Sequence, residues 1–383
     1  MANTLTSLIP TLYESLDVVS RELTGMIPSV TMDSGAERAA VNQSVLSFVA
    51  PAASAGDITP AVAPPDDGDQ TIGNMEILIT KARRVPFRWN GEQSRGVNSG
   101  PGGSNIRAAQ LQQAIRTLTN EIEADLCALH AVASRAAGAA GTTPFATAGD
   151  FTAASLARKI LVDNGASVSD MSLVLNTAAG ANLRGKQGDA NRQGSDSMLR
   201  QGVLLDHSGM AIRESGQIVT STAGTGASAT TNNAGYAIGA TTLTLASAGT
   251  GTLVAGDVVT FAGDTNQYVI TSGDADVSGG GSITIAAPGL RVAMSAATKA
   301  ITVIAAAARN MAFSRSAIVL ATRLPALPDG GDLAVDRTTV IDPRSGLAFE
   351  VAMYAQYRQM QYEVSCAWGV KCVKPEHTAL LLG

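Results

Sequence analysis

Three histidines, three cysteines and two short acidic clusters are the side chains here with the types that chemistry would need. His207 stands between Asp206 and Ser208, the residue types of a hydrolytic triad. A triad is made by convergence in space, however, and adjacent residues do not create one. His130 follows Leu129 in a strongly periodic apolar stretch and reads as structural; the third histidine is His377. Cys366 and Cys372 fall six apart on one face of an alternating run, without the second ligand pair that zinc requires. With Cys127 they make an odd, widely spaced set in apolar surroundings, as reduced core thiols do. The PPDDGDQ cluster and the Asp274/Asp276 pair lack the spaced ligands of a calcium loop and read as solvated turns. GPGGS lacks the Gly-Lys-Ser/Thr ending of a phosphate loop and reads as a hinge. Asn42-Gln-Ser matches a glycosylation acceptor, but no secretory signal accompanies it. The expectation is a protein without enzyme activity, cofactor or metal.

The remaining chemistry is electrostatic. Asp57, Asp66, Asp67 and Asp69 cluster in a Pro- and Gly-rich stretch, and Lys81, Arg83, Arg84 and Arg88 follow on an alternating run. On one hairpin these charges are separated along its length, whereas between neighbouring copies they can pair. All eight are candidate intersubunit contacts. Composition points the same way: 45% of residues are hydrophobic and only 15% charged, against about 25% charged in ordinary soluble domains. Surface so poor in charge suggests cover by other copies of the chain. A net charge of −5 argues against a grip on nucleic acid, which needs clustered cations. No apolar run approaches the ~18 residues of a membrane span.

The elements that must hold these residues are legible from periodicity. Leu5, Leu8, Ile9, Leu12, Leu16 and Val19 form an amphipathic arm with no local surface to bury it. VNQSVLSFVAP and MEILITKARRVPFRW read as the two strands of a long hairpin, with Pro86 placing the return at an edge. Its tip is too long for a compact domain and is expected to protrude. Leu111, Ile115, Leu118, Ile122, Leu126, Leu129 and Ala133 stripe one face of a helix expected from Ser104 to about Ala137. Arg107, Arg116, Glu121, Glu123 and Asp125 lie outside that stripe. TAASLARKILVDNG, MSLVLN and a helix from Thr177 suggest a mixed α/β unit. Short β runs (TTLTL, DVVTF, QYVIT, SITIA, ITVI) then suggest an inserted small barrel or sandwich. Strict alternation over Leu347 to Tyr357 and Tyr362 to Cys372 predicts two long half-buried strands joined to VIDPRSGLAF by turn residues. The fold class is α+β.

The succession NMAFSRSAIVLATRLPALP, DPRSGLAFEV and WGVKCVKPE resembles the C-terminal part of tailed-bacteriophage major capsid proteins. The order of all elements resembles their Hong Kong 97-type fold. LVAGDVVTFAGDTNQYVIT is similar to the inserted β-domain of coat proteins from short-tailed Salmonella-type phages. The resemblance implies an N-terminal arm over residues 1–40 and an extended hairpin over 41–100. A spine helix and peripheral domain would cover 101–149, an axial domain 150–217, an inserted β-barrel domain 218–305, and the return of axial and peripheral domains 306–383. It implies self-assembly into pentamers and hexamers of an icosahedral virion capsid, built in the host bacterial cytoplasm. Scaffolding and portal proteins would be partners, and the packaged double-stranded DNA would be held without sequence-specific binding and without a membrane. Covalently cross-linking relatives join a hairpin Lys to an Asn. Lys81 lies on the return strand, but no Asn matches, so cross-linking is not expected. The alternative is a surface adhesin or decoration protein binding a receptor or glycan, for which 4% aromatic residues is a low share.

Overall fold

A computed structural model describes residues 24–49, 73–98, 103–147, 150–187, 206–342 and 346–383, with residues 55, 57, 58, 60, 69 and 204 singly. The amphipathic arm before residue 24, Asp66 and Asp67, residues 188–203 and Pro343 lie outside the described residues. Among the described residues, mixed α and β elements form two large sheets and one two-stranded ribbon.

The six-stranded sheet is built round β17 (Gln359–Cys372), the longer of the two alternating runs. One edge of its first half pairs antiparallel with β16 (Ala348–Gln356), and the other edge with β4 (Lys81–Asn90). Its second half pairs with β14 (Ile318–Pro325), which carries β1 (Thr31–Ala39) in parallel; β15 (Ala334–Ile341) flanks β16. Alternation sends Val85, Phe87 and Trp89 of β4 and Tyr362, Val364, Cys366 and Trp368 of β17 to one face. There they meet the stripe Leu111, Ile115, Leu118, Ile122 and Leu126 in one apolar cluster. Those five residues belong to α2 (Gly103–Ala128), which follows a short helix α1 (Gly91–Asn98).

The alternating strands are buried more deeply than expected. Ala348 to Met353, and Val364 to Gly369, are buried residue after residue. The second face is covered too, because β2 (Ser44–Val49) and β3 (Gly73–Leu78) form the ribbon, whose base packs Ile77 and Ile79 against Val319, Ala321 and Ala367. Pro86 does lie on a strand that, among the described residues, is paired along one edge only. The expected hairpin return divides at Ile79–Thr80. Its first part pairs with β2, its second with β17, and the Thr80 amide donates to Trp368 O at 3.0 Å.

The ten-stranded sheet runs from the β-rich segment into the mixed unit. β6 (Met171–Leu175), β7 (Ala211–Glu214), β13 (Arg309–Ser314) and β18 (Thr378–Leu382) are flanked by α3 (Thr152–Asp163) and α4 (Thr177–Gln187). β5 (Arg135–Ala137) links this group to β10 (Gln267–Ser272). β10 continues to β9 (Val258–Phe261) and β12 (Ile301–Val303) on one side, and to β11 (Gly281–Ile285) and β8 (Thr242–Leu245) on the other. Isolated bridges Thr231–Leu245 and Thr230–Ala300 tie the two ends of that run together. These strands enclose a core of their own, including Tyr268, Phe261 and Ile283.

The long helix ends earlier than its stripe. It stops at Ala128, passes through a 3₁₀ turn over Leu129–Val132, and gives way to β5. Alanine-rich sequence favours helix there, but the strand is needed between β10 and β18, and tertiary pairing overrides propensity.

Candidate intersubunit surface

Three of the four basic candidates on β4 already have partners within the chain. Lys81 Nζ lies 2.7 Å from Asp125 Oδ1 and 3.2 Å from Glu121 Oε1, both on α2. Burial works against that charge, yet the bonds to Asp125 and Glu121 hold the Lys81 pKa above the usual lysine value. Asp125 is itself fixed, since its Oδ2 accepts from Trp368 Nε1 at 2.8 Å. Arg83 Nε reaches Glu121 at 3.2 Å, and Arg84 Nη1 reaches Glu363 at 2.7 Å. The Arg83 and Arg84 side chains remain 58% and 60% exposed, so each keeps donors free of the chain's own body. Arg88 is exposed, with no ion pair among the described residues. Asp57 and Asp69 are exposed; Asp66 and Asp67 are the two candidates outside the described residues.

The sheet face away from α2 carries a charged network that sequence reading did not assemble. Glu350 is buried and takes Arg38 through both carboxylate oxygens at 2.8 and 3.1 Å. Arg337 Nε also reaches it, at 2.9 Å. Arg337 pairs in turn with Asp332, which accepts from Tyr354 OH at 2.9 Å. Two guanidinia on one carboxylate tie β1, β15 and β16 together, which suits a buried acid that must be fully paired.

The ribbon presents the opposite chemistry. Register puts Ser44, Leu46, Glu76 and Leu78 on the side away from the body, with Leu46 53% and Leu78 47% exposed. Nearby Val41 is also exposed, and Ile58, on the tip, is almost fully so. A second exposed apolar set, Leu333, Val335 and Ile341, lies on and beside β15, whose outer edge pairs with no strand among the described residues. Open edges and projecting apolar side chains are what proteins otherwise avoid.

Glu123 lies outside the apolar stripe of α2, yet it is fully buried. Its Oε1 accepts the amides of Gly25 and Met26, both at 2.7 Å, and its Oε2 that of Ile27 at 3.0 Å. Burial pushes the Glu123 carboxyl up, against the pull of those amides and of Ser215. Met26, Ile27 and Val30 are thereby pinned in the main core, where the N-terminal segment enters the body. The thiols behave as the sequence suggests: Cys127, Cys366 and Cys372 are free, and burial pushes Cys366 up to about 12. The His207 ring lies tilted against Phe151, at 4.6 Å between rings, and His130 Nδ1 meets Cys127 O at 3.0 Å. Among the described residues no group of three or more His, Cys, Asp or Glu is arranged to hold a metal, and no helix is long and apolar enough to cross a membrane.

No family model matches the sequence, and no curated protein matches it. Several solved structures are similar over most of their length. A capsid chain of cyanophage P-SCSP1u is 12% identical, with 92% of this chain and 86% of that one covered, at a TM-score of 0.47. A chain from Mycobacterium phage Che8 is 11% identical, with 89% and 84% covered, at 0.43. A virus-like particle from Pyrococcus furiosus gives 9% identity, 98% and 100% coverage, and 0.43. At these identities and scores the likeness carries no argument about kinship or activity.

Proposed function

We propose that this chain is a shell-forming major capsid protein of the Hong Kong 97 type, assembling with copies of itself into the pentamers and hexamers of a tailed-phage head around double-stranded DNA. The observation that carries the reading is the β2–β3 ribbon. It pairs with no further strand among the described residues, and it turns Leu46 and Leu78 away from the sheet its base packs on. Such a ribbon buries its apolar side only on another molecule, and a head-to-tail contact of that kind closes rings. In this reading residues 1–40 are the arm, 41–100 the extended hairpin and 218–305 an inserted barrel, which the isolated bridges at Thr230 and Thr231 support. Scaffolding and portal proteins are further partners, and assembly takes place in the bacterial cytoplasm. The acidic tip (Asp57, Asp66, Asp67, Asp69) meets a neighbour's Arg83, Arg84 and Arg88, while Lys81 serves its own subunit.

Negative-stain microscopy of the purified chain, or of cells expressing it, is the test. Closed shells, capsomers or polymeric sheets are expected. A monodisperse monomer at high concentration, its ribbon protected from proteolysis, would overturn the reading.

A further inference from the structure

β16 and β17 turn back on each other at Tyr357 and Arg358, with Gln356 paired to Gln359 across the turn. Arg358 is left-handed, at φ 54°, a conformation that glycine takes more readily. The turn is tied to α1 by the Gly91 amide, which donates to Arg358 O at 3.1 Å. Tyr357 stands 86% exposed at the apex, with Arg358 Cζ 5.6 Å from its ring centroid. Among the described side chains it is the one exposed aromatic. An aromatic ring can bury about 150–250 Å², and this one is presented rather than packed.

Beside the turn a cavity of about 720 Å³ opens between the end of the sheet, α1 and the start of α2. Trp89 of β4 and Met360 and Tyr362 of β17 line it, and Arg107 and Arg358 add two guanidinia. Trp89 is fixed there, since its Nε1 donates to Gln110 Oε1 at 2.8 Å and Arg107 Cζ lies 6.0 Å from its ring centroid. Arg107 is held in turn by Ser94 Oγ, at 2.9 Å. Indole and phenol rings, a thioether and guanidinia have one guest in common, a further aromatic ring. They take it by ring packing, sulfur contact and cation–π attraction. Gln356, Arg358 and Gln359 line the cavity and Tyr357 does not, so the chain's own ring stands beside the site rather than in it.

We propose that Tyr357 of one copy seats in this cavity of a second copy, against Trp89, Met360 and Arg107, so that hairpin tips join copies of the chain. The inference rests on the self-assembly reading and adds a contact separate from the ribbon. Ring and cavity share one rim. Copies grouped round a symmetry axis beside the tip can therefore each give a ring and receive one, which closes the set.

Sedimentation and iodide quenching of the full chain over a concentration series test the contact. The chain has two tryptophans; Trp368 is fully buried and Trp89 half-buried, so Trp89 is the one a quencher reaches. Trp89 is expected to be quenched in the dilute chain and protected as copies associate. Tyr357→Ala, at an exposed turn position, should keep the unfolding midpoint, weaken association by about tenfold or more and leave Trp89 quenchable. Tyr357→Phe should restore both readouts. Wild-type association with Trp89 still quenched overturns the contact and leaves the shell reading standing, as does Tyr357→Ala that associates as tightly as wild type. Protection of Trp89 already in the monomer overturns it as well, because the chain's own residues would then fill the cavity. A wild-type chain that stays monomeric at every concentration removes the contact and the shell reading together.

Discussion

Glu123 shows how much a single carboxylate can settle. It meets three amides of residues 25–27, so the chain's entry into the core is fixed by an acid rather than by apolar contact alone. Glu123→Gln keeps the shape but turns an NH2 group towards an amide donor. A cost of about 1–3 kcal/mol is expected, read from urea midpoints. The pH dependence has a sign. Burial raises the folded-state pKa above that of the unfolded chain, so the folded state binds the proton more tightly. Stability therefore rises as the pH falls through the raised value towards the ordinary carboxylate range. The gap between wild type and Glu123→Gln should therefore widen as the pH is lowered from neutrality towards the ordinary carboxylate range; a gap that narrows would show that the amides, not burial, govern the titration. Gly369 makes a second point. A Cβ there would lie 1.9 Å from Leu78 O, so only glycine lets the ribbon base approach β17. Gly369→Ala should cost about 2 kcal/mol or more and loosen the ribbon to protease. An unchanged midpoint and digestion pattern would mean that the ribbon base is not held by this approach.

Among the elements, those with an unambiguous period were legible in advance. The stripe on α2, the α3–β6–α4 succession, five short β runs and the two long strands all form where the spacing places them. What failed depended on partners that spacing does not show. Glu123 lies outside the apolar stripe, and its burial comes from residues 25–30, which cover a second side of the helix. Arg135–Ala137 looked helical because its strand partners lie far along the chain, at Gln267–Tyr268 and Ala379–Leu381. Spacing also does not show that Lys81, Arg83 and Arg84 of β4 meet acids of their own chain, on α2 and β17. This separates two kinds of charge in any assembly test. Arg84→Glu disrupts a pair within the subunit as well as any outside it, so a loss of particles would be ambiguous. Arg88→Glu breaks no ion pair among the described residues. It should leave the subunit's stability within about 0.5 kcal/mol of wild type while lowering particle yield. Full particle yield from Arg88→Glu would remove that residue from the contact set.

Considered as one molecule, the β-rich segment is a separate core and also part of the host's sheet. Tyr268, Phe261 and Ile283 pack among themselves, the strand seam consists of two residue pairs, Gln267–Ala136 and Tyr268–Arg135, and Val258 and Val269 of the segment pack into the main core. A segment with its own core can fold after excision from its host, but the host does not come away clean. Removing residues 220–304 takes the β10 partner from β5 and strips Asn266 from the Arg135 guanidinium. It also leaves β13 to follow directly from the region of β7. The unpaired strand edge and the under-bonded buried cation are both costly. The shortened chain is therefore expected to unfold at lower denaturant than the full chain, and to aggregate through β5, before any question of assembly arises. Arg135→Met in the shortened chain removes the under-bonded cation and should recover part of that loss. If excision instead leaves the midpoint unchanged and only shell formation fails, the seam is an interface of convenience. The segment's role would then lie wholly between subunits.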